Sequence, residues 1–454
     1  MAVLDPSPAA ADTFTDPGFV AETVATVPPF TLVGLTFAPD GRMVVWQKNG
    51  VVRIIKNGVL LPTPFIDVSS HVNTFDDRGF WGLALDPDYA TNGYVYLSHT
   101  YEEAGDPNDQ GPKTARLTRV TSDPTNRDVA LPGETVIMGS VGTPPCSARP
   151  AGADCIAADG GSHSLGELLF LQDGTMLVGM GDGADAGPTD PLPLRAQDLN
   201  STNGKILRIN KDGTAPPDNT FYDGTNSVRS KVWLYGVRNP FRFDVQPGTG
   251  DIWFGDVGWN TWEEVNHGTR GSNHGWPCWE GNEINDTYRT TATCAALQQS
   301  AVTMPYETYN HSTGATAVIG GPFYDATAYP QQYRGNYFYA DYTGNFIKRV
   351  VFDAAHNPVG IQTFATNVWT WALWCKRIVQ LSALGGSGPS SGSLAEPWYV
   401  TVCPGSTWVP SSGWLIVGTG GVLFTVTSTV AVEDTPALSV TLRVAVNVWT
   451  PLTV

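Results

Sequence analysis

The 454-residue chain is predicted to be all-β and built of β-propeller blades, on three observations. A unit of apolar strand, turn on Asp, Pro or Gly, and second apolar strand recurs along it. No stretch shows a long helical period with caps. Glycine and proline are abundant, at 49 and 34 residues, beside 15 Trp and 16 Tyr, as many short strands joined by tight turns require.

The recurring unit reads Leu35–Val45 (LTFAPDGRMVV), Leu83–Leu97 (LALDPDYATNGYVYL), Leu168–Val178 (LLFLQDGTMLV), Phe243–Phe254 (FDVQPGTGDIWF) and, less regularly, Tyr337–Val351. Alternating apolar residues give period two, and the Asp-Gly and Pro-Asp pairs supply turn chemistry. Irregular spacing with long insertions fits blades better than a sandwich, and the length permits one large propeller or two ordinary domains. The stretches Glu102–Arg116, Gly142–Ser162 and Asp182–Leu194 are loop-rich, and loops on a rigid sheet scaffold are where sites concentrate.

Three regions are expected: an N-terminal extension at 1–18, a propeller at 19–367 and an atypical tail at 368–454. From Thr366 to Val454 the charged residues are Lys376, Arg377, Glu396, Glu433, Asp434 and Arg443 alone. Gly385–Ser393 (GGSGPSSGS) is linker-like. Two readings of the tail stay open: a last blade with a fragment of a second β domain, or a segment of foreign reading frame.

A formal net charge of -17, with 15% charged residues, argues against nucleic acid and anionic membrane surfaces, which attract basic patches. No run reaches the roughly 18 apolar residues that a membrane span needs. Six cysteines form close-set pairs, Cys146 with Cys155, Cys278 with Cys294 and Cys375 with Cys403. None makes a C-x-x-C knuckle, so disulfides in an oxidising compartment are expected rather than zinc ribbons. Met1–Phe14 has neither a basic n-region nor an apolar h-region, so the expected secreted or periplasmic location rests on the cysteines and on the resemblance given below.

His163, in Gly160–Leu169 (GGSHSLGELL), stands just before a strand, and Asp182, in Gly179–Gly183 (GMGDG), ends the partner strand. An Asp beside a His fixes the tautomer and raises the basicity that a general base needs. A loop histidine with a structural hydrogen bond would show the same spacing. The G-x-G-x-x-G-like run at Gly179–Gly187 is not a dinucleotide site, because Pro188 and Pro191 prevent a helix from starting there. In Tyr235–Phe243 (YGVRNPFRF), Arg238 offers a fork of donors beside Asn239. Gly255–Asn266 (GDVGWNTWEEVN) gathers Asp256, Glu263 and Glu264, either as oxygen ligands for a hard cation or as a solvated acidic loop.

YGVRN at Tyr235–Asn239, the acidic run at Gly255–Asn266, GSNHGWP at Gly271–Pro277, GKILRI at Gly204–Ile209 and His163 together resemble the glucose/sorbosone dehydrogenase family. The resemblance runs from about Phe19 to about Asn367. It extends, through Asp77–Phe80 (DRGF), Phe254–Gly258 (FGDVG) and Ala340–Gly344 (ADYTG), to a secreted branch that includes the binding propellers of hedgehog-interacting proteins. It implies a six-bladed propeller of four-stranded antiparallel sheets that uses pyrroloquinoline quinone (PQQ) and calcium to oxidise an aldose sugar, with an external electron acceptor. On that resemblance, His163 matches the base and Asp182 its orienting carboxylate. Arg238 and Asn239 match residues around the quinone's reactive carbonyl. Gly258 and Trp259 fall where carbonyls hold the cofactor's calcium, and Glu264 and His274 at a second calcium. Asp77 and Phe241 stand where the family carries glutamines, and Thr343 where it carries a cofactor-binding lysine. The arginines for the quinone's carboxylates would fall late in the chain, where the tail matches nothing in the family. The rival expectation is a calcium-stabilised binding propeller without the quinone.

Overall fold

A computed structural model describes residues 13–19, 21–27, 32–150, 152–185, 187, 189–327 and 329–368, and six further strands between 375 and 446. Five blades follow one another along the chain. The first holds Leu32–Phe37, Met43–Gln47 and Val51–Lys56, with short edge strands at Val59–Leu60 and Ile66–Asp67. The second runs Phe80–Leu85, Tyr94–Tyr101, Lys113–Thr121 and Thr135–Met138, with Ile156–Ala158 also paired to its third strand. The third is Leu165–Phe170, Met176–Met180, Lys205–Ile209 and Val232–Tyr235. Arg242–Val245, Ile252–Asp256, Trp262–Gly268 and Glu307–Asn310 form the fourth. Val318–Tyr324, Asn336–Asp341, Phe346–Phe352 and Pro358–Thr366 form the fifth, with Thr13–Phe14 added at its outer edge. Neighbouring strands within these blades are antiparallel.

The expectation of six blades is corrected to five among the described residues. The five turn-bearing hairpins of the sequence supply one blade each, whereas the chain beyond the fifth blade carries no further blade turn. There, Ala21–Val27 joins a sheet with Val422–Ser428 and Val440–Val446. Its pairing with Val422–Ser428 is parallel, so this sheet lacks the up-and-down order of a blade. Tyr399–Cys403 pairs on one side with Leu32–Phe37 of the first blade and on the other with Cys375–Arg377. Most other residues after 368 lie outside the described residues, as do the side chains of Cys375 and Cys403, and so their expected disulfide.

The first strand of each blade lines the centre and is covered on both faces by its neighbours. Such strands are buried almost end to end, as in Phe80–Leu85 and Val318–Tyr324. In four of the five, a bulge falls near a glycine: Gly34, Gly82, Gly166 and Gly320. At Gly320 the reason is plain, since a Cβ would sit 1.9 Å from the Arg242 carbonyl oxygen of the fourth blade. Arg242 itself is buried, and its guanidinium donates to the carbonyls of Val33 (3.2 Å) and Trp81 (3.1 Å). It thereby stitches the inner strands of the first, second and fourth blades at the centre. Trp253 packs edge-on against Tyr306, Phe323 and Phe352, filling the space between the fourth and fifth blades. Two of the expected disulfides, Cys146–Cys155 and Cys278–Cys294, are formed.

Candidate functional site

A cleft beside the centre is lined by Asp77, Trp81, His163, Asn239, Phe241 and Tyr342, among others. Its histidine is placed by two strand ends. His163 precedes the first strand of the third blade and Asp182 follows the second, and Leu165 pairs with Met180 between them. The two turns are pressed together, because Gly181 has no room for a Cβ, which would lie 2.2 Å from the His163 carbonyl oxygen. His163 holds a left-handed backbone, φ 51°, which a non-glycine residue keeps only where its surroundings fix it. Here the fixing bonds are Gly183 N–H to the His163 carbonyl (3.0 Å) and Gly181 N–H to the Ser164 carbonyl (2.8 Å).

His163 Nδ1 lies 2.9 Å from Asp182 Oδ1, and both residues are buried. A carboxylate only accepts, so Nδ1 carries the proton and Nε2 is left as the basic nitrogen. Asp182 is held on every side. Its Oδ2 accepts from the Trp276 indole (2.8 Å), its Oδ1 from Ala184 N–H (3.1 Å), and its own N–H donates to the Arg238 carbonyl (2.8 Å). Burial pushes the Asp182 carboxyl up, but His163, the hydrogen bond from it and Arg238 outweigh burial and hold it below the usual carboxylate range.

Arg238 and Asn239 are positioned by a buried carboxylate. Asp256 accepts from the backbone N–H of Arg238 (2.9 Å) and of Asn239 (2.6 Å). The Arg238 guanidinium lies over the Trp276 ring at 5.5 Å and donates to the carbonyls of Val257 (2.9 Å) and Gly258 (2.7 Å). The Gly258 carbonyl, expected from the resemblance to face calcium, therefore accepts from Arg238.

Asp77 enters the cleft from the loop before the second blade. Among the described residues its Oδ1 is buried without a hydrogen-bond partner. Burial first, then Asp76, push its carboxyl above the usual range, against the pull of His163 and Lys48. Lys48 is half-buried and donates to the Asp76 carbonyl. Trp81 and Phe241 meet edge-on at 4.9 Å. Thr343 is exposed, and its hydroxyl donates to Asp341 (3.1 Å) and accepts from Thr316 N–H (2.7 Å).

Further along the fourth blade, carboxylates crowd together. Glu264 Oε1 accepts from Gly281 N–H (2.6 Å) and Oε2 from the Asn266 amide (2.8 Å). Glu280 Oε1 accepts from four successive N–H groups, Trp259 to Trp262, at 2.9–3.2 Å, closing the turn after Gly258. Burial, then Asp256, push Glu264 well above its ordinary value, and Glu280 adds to the shift. Burial also raises Asp256 to about 7, with Asp182 adding, against backbone N–H groups and Arg238. The His274 ring reaches Asn266 (3.1 Å) and Ser272 (3.1 Å) and stays neutral, its pKa pushed down to about 3 by burial. Trp259 lies with its ring 6.3 Å from that of Trp276.

The structure thus brings His163, Asp182, Arg238, Asn239 and Asp77 together, with Glu264 and His274 beside Asp256 in the acidic group and Thr343 turned away. Sequence reasoning missed Trp276 as a donor to Asp182, Glu280 as the cap of the acidic turn, and Lys48. Trp276 lay in a quoted motif, GSNHGWP, but no local pattern ties it to Asp182, 94 residues away.

Comparison with known proteins adds to this geometry. The family described as Glucose / Sorbosone dehydrogenase matches residues 29–369. The HIPL2 protein of Arabidopsis thaliana is 28% identical over 382 residues, 73% of this chain and 52% of its own. The aldose sugar dehydrogenase YliI of Escherichia coli is 28% identical over 244 residues, 54% of this chain and 58% of its own. The chain thus spans about half the length of these curated relatives. The structure of the PQQ-bound form of an aldose sugar dehydrogenase from Streptomyces coelicolor shares the fold, with TM-score 0.55 and 20% identity, covering 94% of this chain and 98% of that one.

Proposed function

Because the chain belongs to the glucose/sorbosone dehydrogenase family, we propose that it oxidises an aldose sugar at C1 to the lactone, with PQQ and calcium as cofactors. The observation that carries this reading is the buried His163–Asp182 pair on the cleft. Nε2 of His163 takes the proton of the anomeric hydroxyl, and Asp182 stabilises the imidazolium that forms. Bound quinone would supply the two-electron acceptor for the hydride leaving C1.

The residues present fit that cofactor on its reactive side. Asp77 lines the cleft with an Oδ1 that has no hydrogen-bond partner among the described residues, and a protonated carboxyl there could donate as well as accept, as the glutamine expected there would. Asn239, Arg238 and Asp77 would hold the quinone, and Thr343 would need to turn from Asp341. Oxygen ligands for calcium are at hand in the buried carboxylates of Asp256, Glu264 and Glu280. The carbonyls of Trp259 and His274 would complete such sites, and that of Gly258 would have to do so beside, or in place of, its bond from Arg238. Electrons would then pass to an external acceptor. The two disulfides support a secreted or periplasmic location, and among the described residues no helix is long and apolar enough to cross a membrane.

The rival reading, a calcium-stabilised binding propeller, draws on Arg238, whose guanidinium is already engaged by two carbonyls. Titrating purified protein with PQQ in excess calcium separates them. A quinone absorbance change saturating near one equivalent, with aldose-dependent reduction of an artificial dye, supports the enzyme. No change and no dye reduction with any common aldose leaves the binding propeller.

A further inference from the structure

Away from the cleft, three side chains that commonly ligate metals converge where the first blade leads into the second. His99 lies on Tyr94–Tyr101, opposite Phe80 on one side and Arg116 on the other. Its neighbour Ser98 points the other way, its hydroxyl reaching the Gly166 carbonyl of the third blade at 3.3 Å. By alternation His99 faces back towards the first blade. There the short helical turn Ser69–His71 carries His71, whose carbonyl accepts from Glu102 N–H (2.9 Å) while Val72 bridges to Tyr101. Glu134, just before Thr135–Met138, completes the group, with Oε2 accepting from the Thr118 hydroxyl (2.7 Å) and Oε1 2.8 Å from His71 Nε2. One ligating atom from each of His71, His99 and Glu134 lies within 4.8 Å of the others.

A second observation points to a ligand. His99 is fully buried, yet neither Nδ1 nor Nε2 has a hydrogen-bond partner among the described residues. Buried polar atoms left unmet are costly and uncommon, so a buried imidazole with both nitrogens unmet calls for a reason. The His71 and Glu134 side chains are 28% and 18% exposed, so a hydrated ion can reach the group from their side.

We propose that His71, His99 and Glu134 bind a divalent transition-metal ion, zinc by its donor set, which pins the loop between the first and second blades onto the second blade. Two imidazoles and one carboxylate form a three-ligand zinc set with a fourth position for water. Calcium, which takes oxygen ligands, is the wrong ion for this group. Binding replaces the His71–Glu134 contact with bonds from both residues to the metal and gives His99 the partner it lacks.

The test uses the whole chain, stripped with chelator and returned to saturating calcium so that oxygen sites are filled, then titrated with Co²⁺ and next with Zn²⁺. One equivalent of Co²⁺ should produce the visible d–d bands of a nitrogen-ligated ion of low coordination number. Zn²⁺ should abolish those bands and raise the Tm. His71→Ala, at a partly exposed position, should remove both effects, and Glu134→Gln should weaken zinc binding about tenfold or more. Wild-type protein that takes up neither ion, or uptake unchanged in His71→Ala and Glu134→Gln, would overturn the proposal and leave His99 as a packing residue against Phe80.

Discussion

Asp182 and Glu264 are both buried carboxyls near Asp256, yet their surroundings push them in opposite directions. Around Asp182 stand a histidine, an arginine and an indole N–H, which hold it ionised against burial. Around Glu264 stand Asp256 and Glu280, which add to burial and push it far up. The first group is complete with the chain's own side chains. The second is electrostatically incomplete, and a divalent cation is what would complete it. On the proposed reading, the first group would handle the proton and the second would depend for its stability on what binds.

The largest break in that comparison should come from the finished pair. His163→Ala removes the base, and losing a positioned base typically costs about 10²–10⁴-fold in rate. Dye-linked aldose oxidation should fall by that factor while the calcium response of the Tm persists. Asp182→Asn should cost less, about 10–10²-fold, since it orients His163 without touching the sugar. The loss should appear in kcat with KM for the sugar unchanged. Equal activity of His163→Ala and wild type would show that the pair is structural.

The incomplete group should respond to metal rather than to substrate. Calcium at a hundred times its Kd stabilises a folded protein by about 2.7 kcal/mol, so chelator should lower the Tm and excess calcium restore it. The pH dependence has a definite sign. The carboxyls of Asp256 and Glu264 are raised in the folded state, Asp256 to about 7. Folded protein then keeps protons that the unfolded chain has lost. Without metal, stability should fall as pH rises from about 4 towards 7; with calcium, which needs the ionised form, the fall should shrink or vanish. Identical melting of wild type and Glu264→Gln with and without calcium would show that no cation binds there.

How far the sequence revealed these two groups depended on the distance between partners. The hairpins were legible because their turns are local. In four of them the ends of the segment read from the sequence are register partners in the structure: Leu35 with Val45, Leu83 with Leu97, Leu168 with Val178, and Phe243 with Phe254. The fifth, Tyr337–Val351, proved to be the second and third strands of its blade, with Tyr337 opposite Val350. Its inner strand, Val318–Tyr324, carries Gly320-Gly321-Pro322 and is separated from the next by a loop, so no turn signal announced it. The blade count of six came from the resemblance, not from the hairpins, which number five. His163 and Asp182 were readable because one hairpin holds both. Trp276, Glu280 and the group around His99 were not, since each is assembled from loops of different elements and its residue types alone are unremarkable.

The smallest expected effect lies in the cleft itself, at Asp77. Its carboxyl is buried, raised by burial and by Asp76, and its Oδ1 lacks a partner. If it is neutral at working pH, Asn is nearly its isostere and equal in charge. Asp77→Asn should then change PQQ affinity by less than about threefold, and stability near pH 5 by no more than about 0.5 kcal/mol. The sign at higher pH discriminates. A raised folded pKa means that wild type loses stability as pH climbs from the unfolded value of about 4, whereas the Asn variant has no such proton to lose. The Tm of the variant should therefore overtake that of wild type between pH 5 and 8, and calcium should not alter the gap. The opposite sign, with the variant less stable at pH 8, would mean that Asp77 is ionised and paired with the Lys48 ammonium. A bound quinone would then meet an anion at the mouth of the cleft, and the fit proposed for its reactive side would fail at this residue.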